Sequence, residues 1–350
     1  MFAKQKLSSA IAIALGASVA ALAPMQSANA DSAFFPQVVV SPTVTTIVSV
    51  INTSDTNYNQ FGGPSTPTSA NLHYRLLYKS ALAANTVACD EVNVYRSTSV
   101  NDIQTIDLGG VFGADTLGVL FNDPSFFNNW MAPNQSYALG QNRAPMRGYL
   151  LVDNAASGST ETVTGEAFVF EFANGATWGY EAYSAPGNDE FDYTFAASRS
   201  PAQVAIMPFD QIATAFMVTP VDDDMTDGSG AASIKLASDS GANTYVLFDR
   251  DESQVSGTVP QPVVCVGRVN AESLLTAGAL EEVPDGGWGN LWNYRGAGAS
   301  ASASACASSE SSCNEAAVVI KLEYGVEVFD DEPMIGVFNN AFTIRPSDVD

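Results

Sequence analysis

The sequence TGEAFVFEFANGATWGYEAYS, residues 164–184, decides the fold class of this chain. Aromatic residues recur at every second position on both sides of Asn174-Gly175, which is the period of a strand with two different faces. Asn-Gly between two such runs favours a two-residue type I′ turn, because both residues adopt a positive φ readily. The stretch therefore predicts an antiparallel hairpin.

The turn also sets the register of this hairpin, because Ala173 would then pair with Ala176, and Phe170 would face Gly179. Directly opposed residues share a face of the sheet. The predicted faces hold Phe168, Phe170 and Phe172 on one side, and Trp178 and Tyr180, with Ala167 and Val169, on the other. The phenylalanines find only Thr, Gly and Glu opposite them, so we expect them to face the core. The Trp178 face is then expected to be covered by a loop or, in the alternative, exposed as a binding surface.

Strand patterns fill most of the remaining chain. In NLHYRLLYK, residues 71–79, an apolar residue occupies every second position, as in a half-buried antiparallel strand. Helical patterns are few and short, namely NAESLLTAG with Asn270 as its N-cap and FNDPSFFNNW at residues 121–130. Many short strands between Gly, Pro, Asn and Asp turns predict an all-β protein. We expect an antiparallel β-sandwich, either one large sandwich or two packed sandwiches, with few short helices.

The first thirty residues have the pattern of a secretory signal peptide. Lys4 and Lys6 precede an apolar stretch at residues 11–22, which is too short to span a bilayer, and Ala28-Asn29-Ala30 matches a signal-peptidase site. Cleavage before Asp31 would release a protein that is secreted, periplasmic or at the cell surface, without membrane insertion. We expect residues 31–195 to form a β-sandwich domain and residues 196–350 a β-rich second half interlocked with it.

Four cysteines in an exported chain predict a disulfide framework with three alternative pairings. We favour Cys89 with Cys265 and Cys306 with Cys313. The second pair would close a short ring inside the Gly/Ala/Ser-rich residues 296–316, which contain little else to order them. A metal site formed by Cys306, Cys313 and another ligand is the alternative, although structural zinc usually uses more closely spaced cysteine pairs.

The charge of the chain is strongly negative, with 38 acidic and 14 basic residues and a formal net charge of −24. Removal of the signal peptide discards two lysines and no acids, so the mature charge is −24 − 2 = −26. Nucleic acid and anionic membrane surfaces are therefore unsuitable partners, since both attract basic proteins. A negative surface of this kind suits salty surroundings or divalent cations, or it serves ordinary solubility.

The motifs of several enzyme classes are missing from the sequence. The chain has no G-x-S-x-G elbow, no phosphate-binding loop and no dinucleotide fingerprint. Its one histidine, His73, lies in mid-strand, where Arg75 and Lys79 on the same face would disfavour the protonated imidazole. A pair of carboxylates, as in a glycosidase, remains the alternative, because the distance between two carboxylates depends on the fold.

The acidic stretch VDDDMTDGSG, residues 221–230, is a candidate calcium site. Asp222, Asp224 and Asp227 could offer carboxylate oxygens, which calcium prefers. The stretch is not an EF-hand, since Asp227 occupies the glycine position and Ser233 the position of the bidentate Glu. The competing interpretation is a solvated acidic turn between two strands.

The segment PDGGWGNLWNYRG, residues 284–296, is a candidate ligand-binding site. Trp288, Trp292 and Tyr294 could form a stacking platform for a sugar ring or anchor a partner protein. They could equally cover the open end of a sandwich core.

Together these patterns predict an exported bacterial-type structural or adhesive β-sandwich protein of the cell surface or extracellular matrix, without catalysis. The alternative is a glycan-binding module or a carbohydrate-active enzyme resembling a glycoside hydrolase. The expected partners are other envelope or matrix proteins or glycans, with calcium as the one candidate cofactor.

Overall fold

The computed structural model describes residues 32–52, 71–98, 101–113, 126, 129–136, 142–154, 163–173, 175–185, 202–209, 211–221, 223–237, 246–293, 316–325, 328–329, 332–333 and 342–344. The predicted signal peptide lies outside these residues, and so do Cys306, Cys313, Asp222 and Tyr294. The side chains of Asp224 and Trp292 are likewise outside the description.

The described strands pair antiparallel in four larger sheets and one two-stranded sheet. Sheet I has the order β5 (Ile103–Asp107), β2 (Val44–Asn52), β7 (Val163–Glu171), β8 (Ala176–Glu181). Sheet II has the order β4 (Asp90–Ser97), β3 (Asn71–Ser80), β6 (Met146–Asn154), β1 (Ser32–Val40), β9 (Tyr183–Ala185). Sheet III has the order β16 (Gly267–Asn270), β11 (Ile212–Val221), β18 (Ala316–Gly325), β21 (Phe342–Ile344).

Sheet IV has the order β14 (Gln254–Ser256), β13 (Val246–Asp249), β17 (Gly287–Asn293), β12 (Ala231–Ala237), β15 (Gln261–Val264), and β10 (Ala202–Ile206) also pairs with β17. The two-stranded sheet consists of β19 (Val328–Phe329) and β20 (Glu332–Pro333). The all-β, antiparallel class predicted from the sequence is confirmed. The packing of the sheets as sandwiches and the boundary near residue 195 stay predictions.

Helices are few and short among the described residues. There are two α-helices, α1 (Leu108–Phe112) and α2 (Ala277–Glu282), and two 3-10 helices, Asp223–Asp227 and Ala271–Leu274. The second 3-10 helix begins directly after Asn270, as predicted, but the Asn270 side chain makes no capping hydrogen bond. The Thr276 hydroxyl oxygen caps α2 by accepting the backbone N–H of Ala279 at 3.3 Å. No helix in this part of the chain is long and apolar enough to cross a membrane.

The buried apolar side chains of the sheets form three clusters. The first cluster is built mainly from sheets I and II, and it contains the alternating apolar residues of β3, namely Leu72, Tyr74, Leu76 and Tyr78. The second is built mainly from sheets III and IV. The third joins side chains of sheet II, such as Phe34 and Tyr149, to Val318 of sheet III and to Cys265. Sheets II and III therefore pack on each other through the third cluster.

The hairpin at residues 163–181 forms, but its register differs from the prediction. Phe170 pairs with Thr177 and Glu171 with Ala176, so the connection holds four residues instead of two. The predicted two-residue turn at Asn174-Gly175 is therefore wrong, although Gly175 does adopt a positive φ of 61°. The register shifts by two residues, and because side chains alternate with period two, the division of the residues between faces is unchanged.

The choice of the core face was wrong. Ala167, Val169, Trp178 and Tyr180 are buried in the first cluster, whereas Phe168 and Phe170 are half-buried and Phe172 is exposed. The phenylalanine face also holds Glu166 directly opposite Glu181, and two facing carboxylates do not fit an apolar core. The polar atoms of the buried rings have partners: the Tyr180 hydroxyl accepts the backbone N–H of Gln37 at 3.2 Å, and Trp178 Nε1 donates to Glu171 at 3.3 Å.

Candidate functional site: an aromatic pair on sheet IV

The predicted disulfide between Cys89 and Cys265 is confirmed, with Cα atoms 5.9 Å apart. Both cysteines form backbone hydrogen bonds with the turn at residues 228–230. The Cys89 N–H donates to the Gly228 carbonyl at 3.0 Å, and the Cys265 N–H donates to the Gly230 carbonyl at 2.8 Å. Gly228 has a φ of 80° and lies so near Cys89 that a Cβ there would be 3.0 Å from the Cys89 carbonyl oxygen. The bond between Cys306 and Cys313 stays a prediction.

The candidate calcium stretch forms the 3-10 helix Asp223–Asp227 and the turn after it. Met225 is buried in the third cluster, and its carbonyl accepts a hydrogen bond from the Tyr149 hydroxyl. Asp227 is exposed, and its Oδ1 accepts the backbone N–H of Ser229 at 2.9 Å. Among the described residues, no three His, Cys, Asp or Glu side chains gather closely enough to hold a metal ion. The calcium site, which depends on Asp222 and Asp224, stays a prediction.

His73 has surroundings that favour its neutral form. Its ring stacks on Tyr95 with centroids 4.1 Å apart and an interplanar angle of 4°. Burial, and to a lesser extent the positive charge of Arg75, lower the pKa of His73 to about 4. Arg75 itself forms an ion pair with Asp153 at 2.9 Å. A group with a pKa this far below neutral is a weak general base at pH 7.

The aromatic site predicted around Trp288 has a defined geometry on sheet IV. Trp288 lies in β17 and is 39% exposed. Its indole stacks on the ring of Phe248 in β13, with centroids 4.9 Å apart and an interplanar angle of 16°. Trp288 belongs to none of the three buried clusters, since Leu291 and Leu247 occupy the opposite face of the same strands. Trp288 therefore presents aromatic surface to solvent.

Glycine residues explain how Trp288 is placed. Gly287 pairs with Asp249 across the two strands, and a Cβ at Gly287 would lie 2.3 Å from the Phe248 carbonyl oxygen. The glycines of Gly286-Gly287-Trp288-Gly289 therefore allow β17 to lie close to β13. Trp288 is the one large side chain in this stretch. Local sequence shows the tryptophan but not its stacking partner, because Phe248 is forty residues earlier in the chain.

Exposed residues flank this aromatic pair across the sheet. Phe248 pairs with Gln254 of β14 on one side, and Trp288 pairs with Ala205 of β10 on the other. We call Gln254, Phe248, Trp288 and Ala205 the aromatic row. Gln254 and Ala205 are both exposed, as is Gln203, which pairs with Asn290 beside the row. Sequence reasoning missed Phe248, Gln254, Ala205 and Gln203, since only the strand pairing brings them to Trp288.

A second aromatic pair lies at sheet I, where the rings of half-buried Phe170 and exposed Phe172 are 6.5 Å apart. Phe170 pairs with Thr45 of β2 and Thr177 of β8, and the facing carboxylates of Glu166 and Glu181 lie four residues further along β7.

Comparison with models of protein families gives no match to this chain, and comparison with curated proteins gives no relative.

Proposed function

We propose that this chain is an exported, non-catalytic structural or adhesive protein of the cell surface or the surrounding matrix, and that the aromatic row is its contact surface. The observation that carries the proposal is the stacked pair of half-buried Phe248 and exposed Trp288. Tryptophan side chains on rigid frames contribute a large share of binding energy at interfaces. Four strands hold the backbone of the row in place, so little conformational freedom would be lost on binding.

Export is supported by two separate features of the chain. Residues 1–30 have the pattern of a cleavable signal peptide, and Cys89 and Cys265 are joined in a disulfide. Disulfides persist mainly in oxidising compartments outside the cytosol. Intact mass and amino-terminal sequencing of protein made by an exporting host should give Asp31 as the first residue. Recovery of the full-length chain from the cytosol alone would contradict export.

Adhesion is tested by sedimentation with insoluble envelope and matrix material from the producing cells. We expect the wild-type protein to sediment with this material and Trp288→Ala to bind about tenfold more weakly or worse. Leu82→Ala is the matched control, because Leu82 is an exposed apolar residue on another part of the surface. If Trp288→Ala binds as well as wild type while Leu82→Ala also changes nothing, the aromatic row is not the contact surface.

A glycan-binding module is the second candidate, and the exposed amides of Gln254 and Gln203 beside the aromatic rings favour it. A glycosidase would need two carboxylates facing a bound sugar. The aromatic row presents an amide, two aromatic rings and a methyl group instead. Binding without hydrolysis therefore fits this surface better than carbohydrate cleavage.

A further inference from the structure

We infer that the aromatic row binds an uncharged polysaccharide, with one sugar ring stacked on the indole of Trp288 above Ala205. The inference rests on the proposed function, since it takes the aromatic row as the contact surface and names the chemistry of its ligand.

The row is a continuous strip on one face of sheet IV. Gln254 is paired with Phe248, Phe248 with Trp288, and Trp288 with Ala205, so all four side chains lie on the same face. Neighbouring strands are about 4.8 Å apart, so the strip crosses about 14 Å of the sheet. A row of this length matches an extended chain of sugar rings better than a compact small molecule.

The two sides of the Trp288 indole have different surroundings. Phe248 covers one side, with nearly parallel rings. The opposite side looks over β10, where Ala205 contributes only an exposed methyl group. This leaves a slot with an aromatic wall and a small apolar floor. The C–H face of a pyranose ring would bury apolar surface against the indole in this slot.

The polar groups beside the slot match hydroxyl groups. The amides of Gln254 and Gln203 are exposed, and each offers two N–H donors and a carbonyl acceptor. Sugar hydroxyls can both donate and accept hydrogen bonds, so neutral amides suit them without a charge on either partner. The strip itself therefore contains no group that would select a charged ligand.

Charge near the strip selects against acidic polymers. The β13–β14 turn carries Asp251 and Glu252, and Asp285 precedes β17, all with exposed side chains. Arg250 lies in the same turn, but the three carboxylates outnumber it. The chain as a whole has a formal net charge of −24. A polyanion would be repelled from this edge of the sheet, whereas an uncharged polysaccharide would meet no such barrier.

Affinity electrophoresis of the exported protein tests the inference. The gels contain soluble β-glucan, xylan or mannan as uncharged probes, and alginate as the acidic probe. We expect at least one uncharged polymer to retard the wild-type protein, and alginate to leave its mobility unchanged. Trp288→Ala should weaken the retardation by about tenfold or more. Leu82→Ala, which changes an exposed residue elsewhere, should bind as wild type does.

The variant Ala205→Leu tests the role of the slot independently of the Trp288 ring. This variant keeps the indole but fills the floor beside it, so it should also abolish retardation while its thermal unfolding stays close to that of wild type. Retardation that survives Ala205→Leu would overturn the slot geometry, and no retardation by any uncharged polymer would overturn the inference.

Two further outcomes distinguish the inference from the proposed function. If Trp288→Ala loses binding to envelope material while no polysaccharide retards wild type, the aromatic row is the contact surface but its ligand is not an uncharged polysaccharide. If light scattering shows a wild-type dimer that Trp288→Ala converts to a monomer, the row joins two copies of this chain and the inference is overturned.

Discussion

Cys89 and Cys265 are joined across 176 residues of sequence, and each also donates its backbone N–H to the turn at residues 228–230. Cys89 directly precedes β4 of sheet II, while Cys265 lies between β15 of sheet IV and β16 of sheet III. Cys265 adopts a positive φ of 62°, at the point where the chain passes from one sheet to the next. The disulfide therefore links sheet II to the connection between sheets IV and III, next to the turn that ends the acidic stretch.

Loss of this disulfide should destabilise the protein strongly. The chain-entropy model gives about 5 kcal/mol for a closed loop of this length, because the bond limits the unfolded chain. We expect guanidinium unfolding to show that the double variant Cys89→Ser, Cys265→Ser has an unfolding free energy lower than that of wild type by an amount of this order. Non-reducing peptide mapping of wild type should show Cys89 linked to Cys265 and, as a separate prediction, Cys306 linked to Cys313. A crossed pairing would contradict the structure.

The two faces of the β7–β8 hairpin should respond differently to truncation. Trp178 is buried in the first cluster, so Trp178→Ala should cost about 3–5 kcal/mol of unfolding free energy. Phe170 is only half-buried, and Phe170→Ala should cost clearly less, about 1 kcal/mol. Urea unfolding of both variants measures the difference. Equal losses would mean that the phenylalanine face is covered as fully as the tryptophan face.

His73 should make the protein less stable in acid. The pKa of His73 in the folded protein is about 4, below the usual value of 6.5, so the unfolded chain takes up the proton first as pH falls. Stability is lost between pH 6.5 and pH 4, and the contribution is constant above pH 6.5. His73 is the one histidine in the chain, so its NMR titration is unambiguous.

The control for this pH dependence is His73→Phe, which keeps a ring beside Tyr95 and cannot titrate. Carboxylates titrate in both proteins, so the difference in unfolding free energy isolates His73. The unfolding free energy of His73→Phe relative to that of wild type should increase as pH falls from 6.5 to 4. An NMR pKa near 6.5 would show that the imidazole is solvated.

The lysines should resist amine-reactive reagents in the folded protein. Three lysines follow the predicted signal peptide, and their exposed fractions are 4% for Lys79, 6% for Lys235 and 3% for Lys321. Burial lowers the pKa of Lys79 to about 8, which would favour its reaction near pH 8 if the amine were accessible. Lys79 Nζ instead donates to three backbone carbonyls, those of Asn85, Val87 and Val264.

We therefore expect a succinimidyl ester to label only the terminal amine at first, and the lysines only after unfolding. Mass spectrometry of peptides from native and urea-treated protein measures this order. Native labelling of Lys235 or Lys321 at the rate of free lysine would contradict their burial.

The calcium prediction is tested by thermal unfolding. Calcium that binds only the folded protein must raise its stability, so millimolar calcium should raise the Tm if the acidic stretch is a site. The double variant Asp222→Asn, Asp224→Asn should lose this response. An equal rise in wild type and variant would mean that calcium only screens the negative charge.

The sequence by itself determined the all-β class and the division of its strands into two faces. Alternation with period two is a local property of the backbone, so the sequence alone assigns Leu72, Tyr74, Leu76 and Tyr78 to one face. The same logic places Trp178 and Phe170 on opposite faces, and the error in the turn does not change that division. Cysteine content and the leader pattern predicted a disulfide framework with three alternative pairings, of which the favoured Cys89–Cys265 bond is confirmed by the structure.

Only the tertiary structure decided which face is buried and which distant strands become neighbours. Trp178 became the core residue because sheet II packs against its face, and that face carries no carboxylate pair such as Glu166 and Glu181. Phe248 and Ala205 met Trp288 through strand pairing between segments forty or more residues apart. Such contacts depend on the burial of whole surfaces and on the pairing of every backbone group in a sheet, which no local pattern contains.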